Sequence, residues 1–264
     1  MRGFKKENTM KTIALVTGAS GGLGREFTRL LCAEAVDEVW AVARNEQKLQ
    51  ALRGELGEKV VVLAMDLTQP DAIQKLAELL HQRGVRVQYL VNNAGLARMA
   101  PCQKFEPAEI GETVTLNCTV PAQLCNICLP YMAPGSRILT LSSAASFQPM
   151  AYLALYAASK VFERYYTRAL HLELKGTGIT ATTVCPGWVK TDLLWQTHGG
   201  KPVHYIGLAE AGPVAAKALR DAKRGRAMSV FGWYAAYLRL EAKLLPTGGV
   251  MAMWAQGAAP YVKE

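Results

Sequence analysis

Apolar positions in this chain fall into short dense runs, and between those runs they spread out to a helical period. TIALVT at 12–17 is almost wholly apolar and stops at the glycine-rich segment GASGGLG; a helical pattern follows from Arg25 to Ala33. The next run, VDEVWAVA at 36–43, leads to Asn45, which is placed to cap a helix running to about Leu56. KVVVLAM ends at Asp66, and Pro70 opens another helix where proline is tolerated. VQYLV runs into Asn92-Asn93-Ala94-Gly95, and 107–129 reads as one long helix that Pro121 is expected to kink. RILTLS delivers Ser142 and Ser143, a helix carries Tyr156 and Lys160 to about Leu174, and GITATTVC ends at Pro186-Gly187.

Six such runs alternating with helices predict an α/β domain, with a parallel sheet covered by helices on both faces. No linker rich in proline or glycine divides it, so the expectation is a single domain over 1–264. Ligands of such sheets bind at the carboxyl ends of the strands, which is where Gly18 to Gly24, Arg44, Asp66, Asn93, Ser143 and Pro186 fall. Beyond Gly187 the pattern loosens. Residues 188–207 read as a loop or lid with one short helix, 209–222 as a helix and AMSVFG as a seventh strand. The tail at about 233–256 places apolar residues at helical spacings. Packing on the domain or on a second subunit is the expectation for it, with peripheral membrane contact as the alternative. The first ten residues are expected to be a flexible extension.

Two stretches carry chemistry. In the first, Gly18, Gly22 and Gly24 allow a tight turn and a close approach to the N-terminus of the next helix, whose free N–H groups favour phosphate. The loop lacks the lysine-serine or lysine-threonine ending of an ATP-binding phosphate loop. In the second, Ser143, Tyr156 and Lys160 stand at offsets 0, 13 and 17. A tyrosine and a lysine four apart share one helix face, and the ammonium favours the phenolate.

The chain has 264 residues, half of them hydrophobic, and a net charge of +9 from 30 basic and 21 acidic residues. The basic residues are scattered, so the charge suits a phosphorylated cofactor or an anionic substrate better than a nucleic acid. The six cysteines include a CxxC at Cys125 and Cys128, but it lies on an apolar helix with no histidine near it, so the expectation is buried free thiols in a reducing cytoplasm and no metal.

TGASGGLG, Asp66, NNAG at 92–95, Asn117, Ser143, YAASK at 156–160 and PGWVKT at 186–191 together resemble the classical short-chain dehydrogenase/reductases over roughly 12–232. That resemblance implies a Rossmann-like, doubly wound, mostly parallel seven-stranded sheet. It implies Asn117, Ser143, Tyr156 and Lys160 as the catalytic set. Gly18, Gly22 and Gly24 would cradle a pyrophosphate with Ser20, flanked by Gly21 and Leu23. Asp66 would meet the adenine and Asn93 with Gly95 the adenosine side, while the backbone after Gly187, at Trp188 and Val189, would hold the nicotinamide carboxamide. Thr191 would lie by the nicotinamide or the phosphates and Lys160 would contact the nicotinamide ribose; Leu67, Ala94, Pro186 and Tyr156 are implied as further cofactor contacts. Arg44, in a segment without an acid, favours NADP(H) over NAD(H). The implied reaction interconverts a ketone and a secondary alcohol, and a homodimer or homotetramer is implied with it. Residues 97–103, 144–153 and 188–207 would line a mostly apolar substrate pocket with Met99, Phe147, Met150, Leu153, Trp188, Leu194, Trp195 and Tyr205, suited to a steroid-, bile-acid- or lipid-like molecule; a lid packing on the core is the equal alternative for the two tryptophans. A cofactor-sensing regulator without turnover and an NAD(P)-dependent epimerase or dehydratase are the other readings.

Overall fold

The computed structural model describes residues 10–195, 197–198 and 201–261; the expected extension falls almost wholly outside them. Seven parallel strands form one sheet in the order β3-β2-β1-β4-β5-β6-β9. They are β1 (Thr12–Thr17), β2 (Glu38–Ala43), β3 (Val60–Ala64), β4 (Arg86–Asn92), β5 (Arg137–Leu141), β6 (Thr180–Pro186) and β9 (Met228–Phe231). The order reverses between β1 and β4, opening a crevice beyond their carboxyl ends.

Strand alternation splits the core into two layers. Ala14 and Val16 of β1 face one side with Phe27 and Leu31 of α1 (Gly22–Cys32), Leu49 of α2 (Glu46–Leu56) and Ala218 and Leu219 of α7 (Ala211–Lys223). Ile13 and Leu15 face the other with Leu76 and Leu80 of α3 (Ala72–Arg83), Leu124 of α5 (Val120–Cys128) and Leu170 of α6 (Ala154–Glu173). Each fully buried leucine or phenylalanine among them contributes about 1.5–3 kcal/mol. Asn45 caps α2 as expected, its side-chain oxygen accepting from the Lys48 N–H at 2.8 Å.

The long helix read at 107–129 is interrupted rather than simply bent. α4 (Pro107–Val114) passes through a π turn at Thr115–Thr119 before α5 begins. Pro121 has no N–H to offer the Asn117 carbonyl four residues earlier, so the ladder is already broken where the wide turn forms. The segment 188–207 also departs from expectation. Its described residues hold no helix but two paired antiparallel strands, β7 (Thr197–His198) and β8 (Lys201–Pro202). The tail forms α8 (Trp233–Leu244) and α9 (Thr247–Ala258). Ala235, Leu238 and Val250 are buried while Trp233, Leu240 and Leu244 stay exposed, so the tail packs on the domain by one face. Among the described residues, no helix is long and apolar enough to cross a membrane.

Candidate active site

A cavity of about 990 Å³ opens along the carboxyl ends of the strands. One wall is the glycine loop between β1 and α1. Gly18 sits at φ +64, and a Cβ there would lie 2.7 Å from the Asn93 amide nitrogen, so both its conformation and its surroundings demand glycine. Gly21, extended, gives α1 no side-chain cap, leaving the first N–H groups of the helix without a side-chain acceptor. Ser20, Gly22 and Leu23 line the cavity beside them. Gly24, the third glycine of the loop, is placed differently from Gly18 and Gly22. It is buried and outside the cavity lining, and a Cβ there would meet the Gly18 carbonyl oxygen at 2.1 Å. Its task is to let α1 close on the end of β1.

Asn93 ties that loop to β4, its amide donating to the Thr17 carbonyl at 3.0 Å and the Gly18 carbonyl at 3.2 Å. Ala94, Gly95, Pro186, Gly187, Val189 and Thr191 all face the same cavity, and the Thr191 methyl would lie 2.9 Å from a Cβ on Gly22. Asp66 and Leu67 line its far end. Burial opposes the Asp66 carboxylate, but hydrogen bonds from the Thr68 N–H and hydroxyl at 3.0 and 2.7 Å outweigh it and bring the pKa below the usual value. Arg44 reaches the cavity mouth, exposed and 3.3 Å from Glu112. Lys48 stands there too, with Asp192 at 3.6 Å. Sequence reasoning passed over Lys48; its position in the first turn of the helix capped by Asn45 was the available signal.

At the centre, β5 delivers Ser143, whose oxygen accepts from the Ala145 N–H at 3.1 Å, leaving its hydroxyl proton free to point elsewhere. Tyr156 and Lys160 come from adjacent turns of α6, with the ammonium 5.6 Å from the centre of the tyrosine ring. All three line the cavity. Lys160 donates to the Leu141 carbonyl at 2.8 Å and to Oε1 of Glu163 at 2.9 Å. Asn117 lies behind the wall, fully buried. Its amide oxygen accepts from the Leu96 N–H at 2.8 Å, and its amide nitrogen donates to the Leu96 carbonyl and the Ser159 hydroxyl, both at 2.9 Å. A Cβ on Gly95 would lie 3.2 Å from Asn117 Oδ1 and 3.4 Å from Lys160 Nζ, so the two meet across that glycine.

The opposite wall is aromatic. Trp188 packs on Tyr205 at 4.9 Å and on Trp254 at 6.4 Å between ring centres, and Trp254 donates to the Ala151 carbonyl at 2.9 Å. Met99, Met150, Leu153, Leu194 and Trp195 join them as expected. Phe147 does not line the cavity; it packs with Ala144, Ala235 and Tyr234 beneath α8, because the 3₁₀ turn at Ala144–Phe147 aims it away. Tyr234, Tyr237, Leu238, Glu241, Val250 and Trp254 from the two tail helices complete the wall. Their amphipathic spacing signalled a packed face in the sequence but not what it packs around. Cys125 and Cys128 are buried away from this site, with the Cys125 thiol pushed up to about 12 by burial.

The short chain dehydrogenase family matches residues 12–201. An uncharacterized oxidoreductase of Myxococcus xanthus is 32% identical over 238 residues, covering 88% of this chain and 92% of that protein. A very-long-chain 3-oxoacyl-CoA reductase of Neurospora crassa is 33% identical over 199 residues, covering 71% of this chain. A 17-beta-hydroxysteroid dehydrogenase type 3 of Danio rerio is 35% identical over 189 residues, covering 67% of it. The matches span 59% and 61% of those two proteins. In fold, a short-chain dehydrogenase from Sphingobium yanoikuyae in complex with NADPH superposes with a TM-score of 0.74 at 24% identity, over 97% of both chains. Sequence, strand order and the glycine-lined crevice agree, and the chain belongs to the short-chain dehydrogenase/reductases, a family of nicotinamide-dependent oxidoreductases.

Proposed function

We propose that this protein is an NADP(H)-preferring oxidoreductase that interconverts a ketone and a secondary alcohol on a bulky, mostly apolar substrate. The observation that carries the reading is the convergence of Ser143, Tyr156 and Lys160 on one cavity with the glycine loop. The residues present fit the cofactor: Gly18 and Gly22 keep the wall free of side chains, Gly21 leaves the start of α1 uncapped, and Arg44 and Lys48 put positive charge at the mouth. An arginine at the end of β2, with no acid there, suits a 2′-phosphate. A bound nicotinamide supplies the hydride chemistry.

The chain's own residues supply orientation and the proton. Ser143 donates its free hydroxyl proton to the substrate oxygen and holds it beside Tyr156. The Tyr156 phenol gives its proton to that oxygen in reduction and takes it back in oxidation. Lys160 stabilises the phenolate and reaches the ribose side, and Asn117 anchors the path by which a water reconnects Lys160 with solvent. The aromatic wall excludes water and selects for apolar bulk. Relatives named as a 3-oxoacyl-CoA reductase and a hydroxysteroid dehydrogenase support carbonyl chemistry on large molecules. Self-association is part of the same reading, supported by exposed Ile110 and Val114 on α4 and Phe162, Tyr165 and Leu172 on α6.

The test is a screen of bulky ketones and secondary alcohols followed by NADPH absorbance. Turnover in the wild type is expected to fall by about 10²–10⁴-fold or more in Tyr156→Phe, while NADPH binding by fluorescence is kept. Undiminished activity in that variant would overturn the mechanism.

A further inference from the structure

Glu163 is a carboxylate in the interior, 1% exposed, one turn beyond Lys160 on α6. Its Oε1 accepts from the Lys160 ammonium at 2.9 Å; its Oε2 lies 2.8 Å from the same nitrogen but accepts no hydrogen bond. Lys160 is itself 6% exposed and has the Leu141 carbonyl as its other acceptor. An acid so placed bears directly on the residue that acts on Tyr156.

Charge counting shows its consequence. With Tyr156 as the phenol, Lys160 as the ammonium and Glu163 as the carboxylate, the three groups are neutral overall. Without the carboxylate the Lys160 ammonium is a buried charge with no counter-ion, one turn from a half-buried phenol on the cavity wall, and losing the phenol proton relieves it. Burial alone works against the Lys160 ammonium, but the Glu163 carboxylate, with Tyr156 behind it, outweighs burial and holds that pKa above the ordinary lysine value. Burial raises the Glu163 carboxyl to about 7, with Lys160 opposing, so above neutrality the pair is ionised.

The groups facing the pair are few. α6 contributes Tyr156, and β5 contributes the Leu141 carbonyl. The π turn contributes Cys118, whose thiol is raised by burial first and Glu163 second, with Lys160 opposing. Cys185 of β6 acts on Arg164, the next residue of α6, instead.

We propose that Glu163 is a positioning residue that neutralises the buried Lys160 ammonium and so keeps Tyr156 in its protonated form further into the alkaline range than the tyrosine-lysine pair would alone. For the reaction this rests on the function proposed above: the phenol is the proton donor of carbonyl reduction, and the phenolate is the base of alcohol oxidation. Glu163 therefore sets how far into the alkaline range carbonyl reduction keeps its proton donor.

The experiment is an ultraviolet tyrosinate titration of the full chain without substrate, with Tyr156 isolated by subtracting the same curve for a Tyr156→Phe background. In Glu163→Gln, which keeps the shape and an acceptor but removes the charge, the Tyr156 midpoint is expected to fall by about one pH unit or more. Glu163→Asp, with its carboxylate one methylene further back, is expected to give a smaller fall. If Glu163→Gln proves unstable, the fall in Glu163→Asp decides. A midpoint that stays or rises overturns the proposal, because a merely structural role for Glu163 would change melting without moving it. The titration needs no turnover, so failure to reduce any carbonyl would defeat the proposed function and leave this result standing.

Discussion

On one side of the cavity the surface is main chain. Gly18, Gly21 and Gly22 present peptide groups, and Asn93 and Thr191 pack against them at the same cavity. On the other side the surface is large side chains, Trp188, Tyr205, Tyr234 and Trp254, carried by a hairpin-bearing loop and two tail helices. Main chain held this tightly presents one geometry, which suits a fixed partner. Aromatic rings packed at 4.9–6.4 Å between centres can be exchanged one at a time without touching the backbone, which suits a wall that sets specificity.

Several substitutions would break or sharpen that contrast. The largest effect is expected at Gly24→Ala, where the new Cβ cannot coexist with the Gly18 carbonyl oxygen at 2.1 Å. A loss on the order of 3 kcal/mol, or no folded protein, is expected by chemical denaturation, and a wild-type midpoint would show that the loop yields after all. Arg44→Asp, at the rim of the same wall, should leave melting unchanged because the residue is exposed. It should move the NADPH-to-NADH preference by about ten- to a hundredfold, one to two steps of 1.4 kcal/mol; an unmoved ratio removes Arg44 from cofactor choice.

Trp254→Ala deletes the stack on Trp188 and the hydrogen bond to Ala151 from the aromatic wall. It should raise KM for bulky ketones by about tenfold with little change for small ones, an effect on the order of 1.5 kcal/mol. Equal losses for all substrates would make that wall a structural one. A further test, read from pH dependence, lies beneath both walls. The Glu163 carboxyl has its folded pKa raised from 4.5 to about 7, so folding takes up a proton between those values. Its contribution to stability is fully present below pH 4.5 and is lost as pH rises through 7. Melting curves for Glu163→Gln across that window should be flatter with pH than those of the wild type, and parallel curves would place the carboxyl lower.

The sequence was most legible where chemistry and periodicity coincide. Apolar runs ending at Gly18, Asp66, Asn93 and Ser143 disclosed both the strands and the edge at which they stop, because a buried parallel strand admits few polar residues before its end. Asn45 disclosed a helix start because its side chain bonds locally to the third residue beyond it. Phe147 was misjudged because an apolar residue beside a site can face either way, and a single 3₁₀ turn decides which. Glu163 passed unnoticed because nothing local distinguishes an acid on the solvent side of a helix from one turned inward onto a lysine.

Taken alone, the sequence determined the layered α/β architecture, the glycine loop and the serine, tyrosine and lysine that meet near it. These follow from short-range periodicity and from residues whose chemistry is unusual wherever they stand. Only the tertiary structure decided that Gly24 holds α1 to β1, that Lys48 shares the cavity mouth with Arg44, that α8 and α9 wall the cavity, and that Glu163 is buried against Lys160. Each depends on segments brought together from different parts of the chain or on which face of a helix turns inward. Packing sets those relations, and local pattern does not record them.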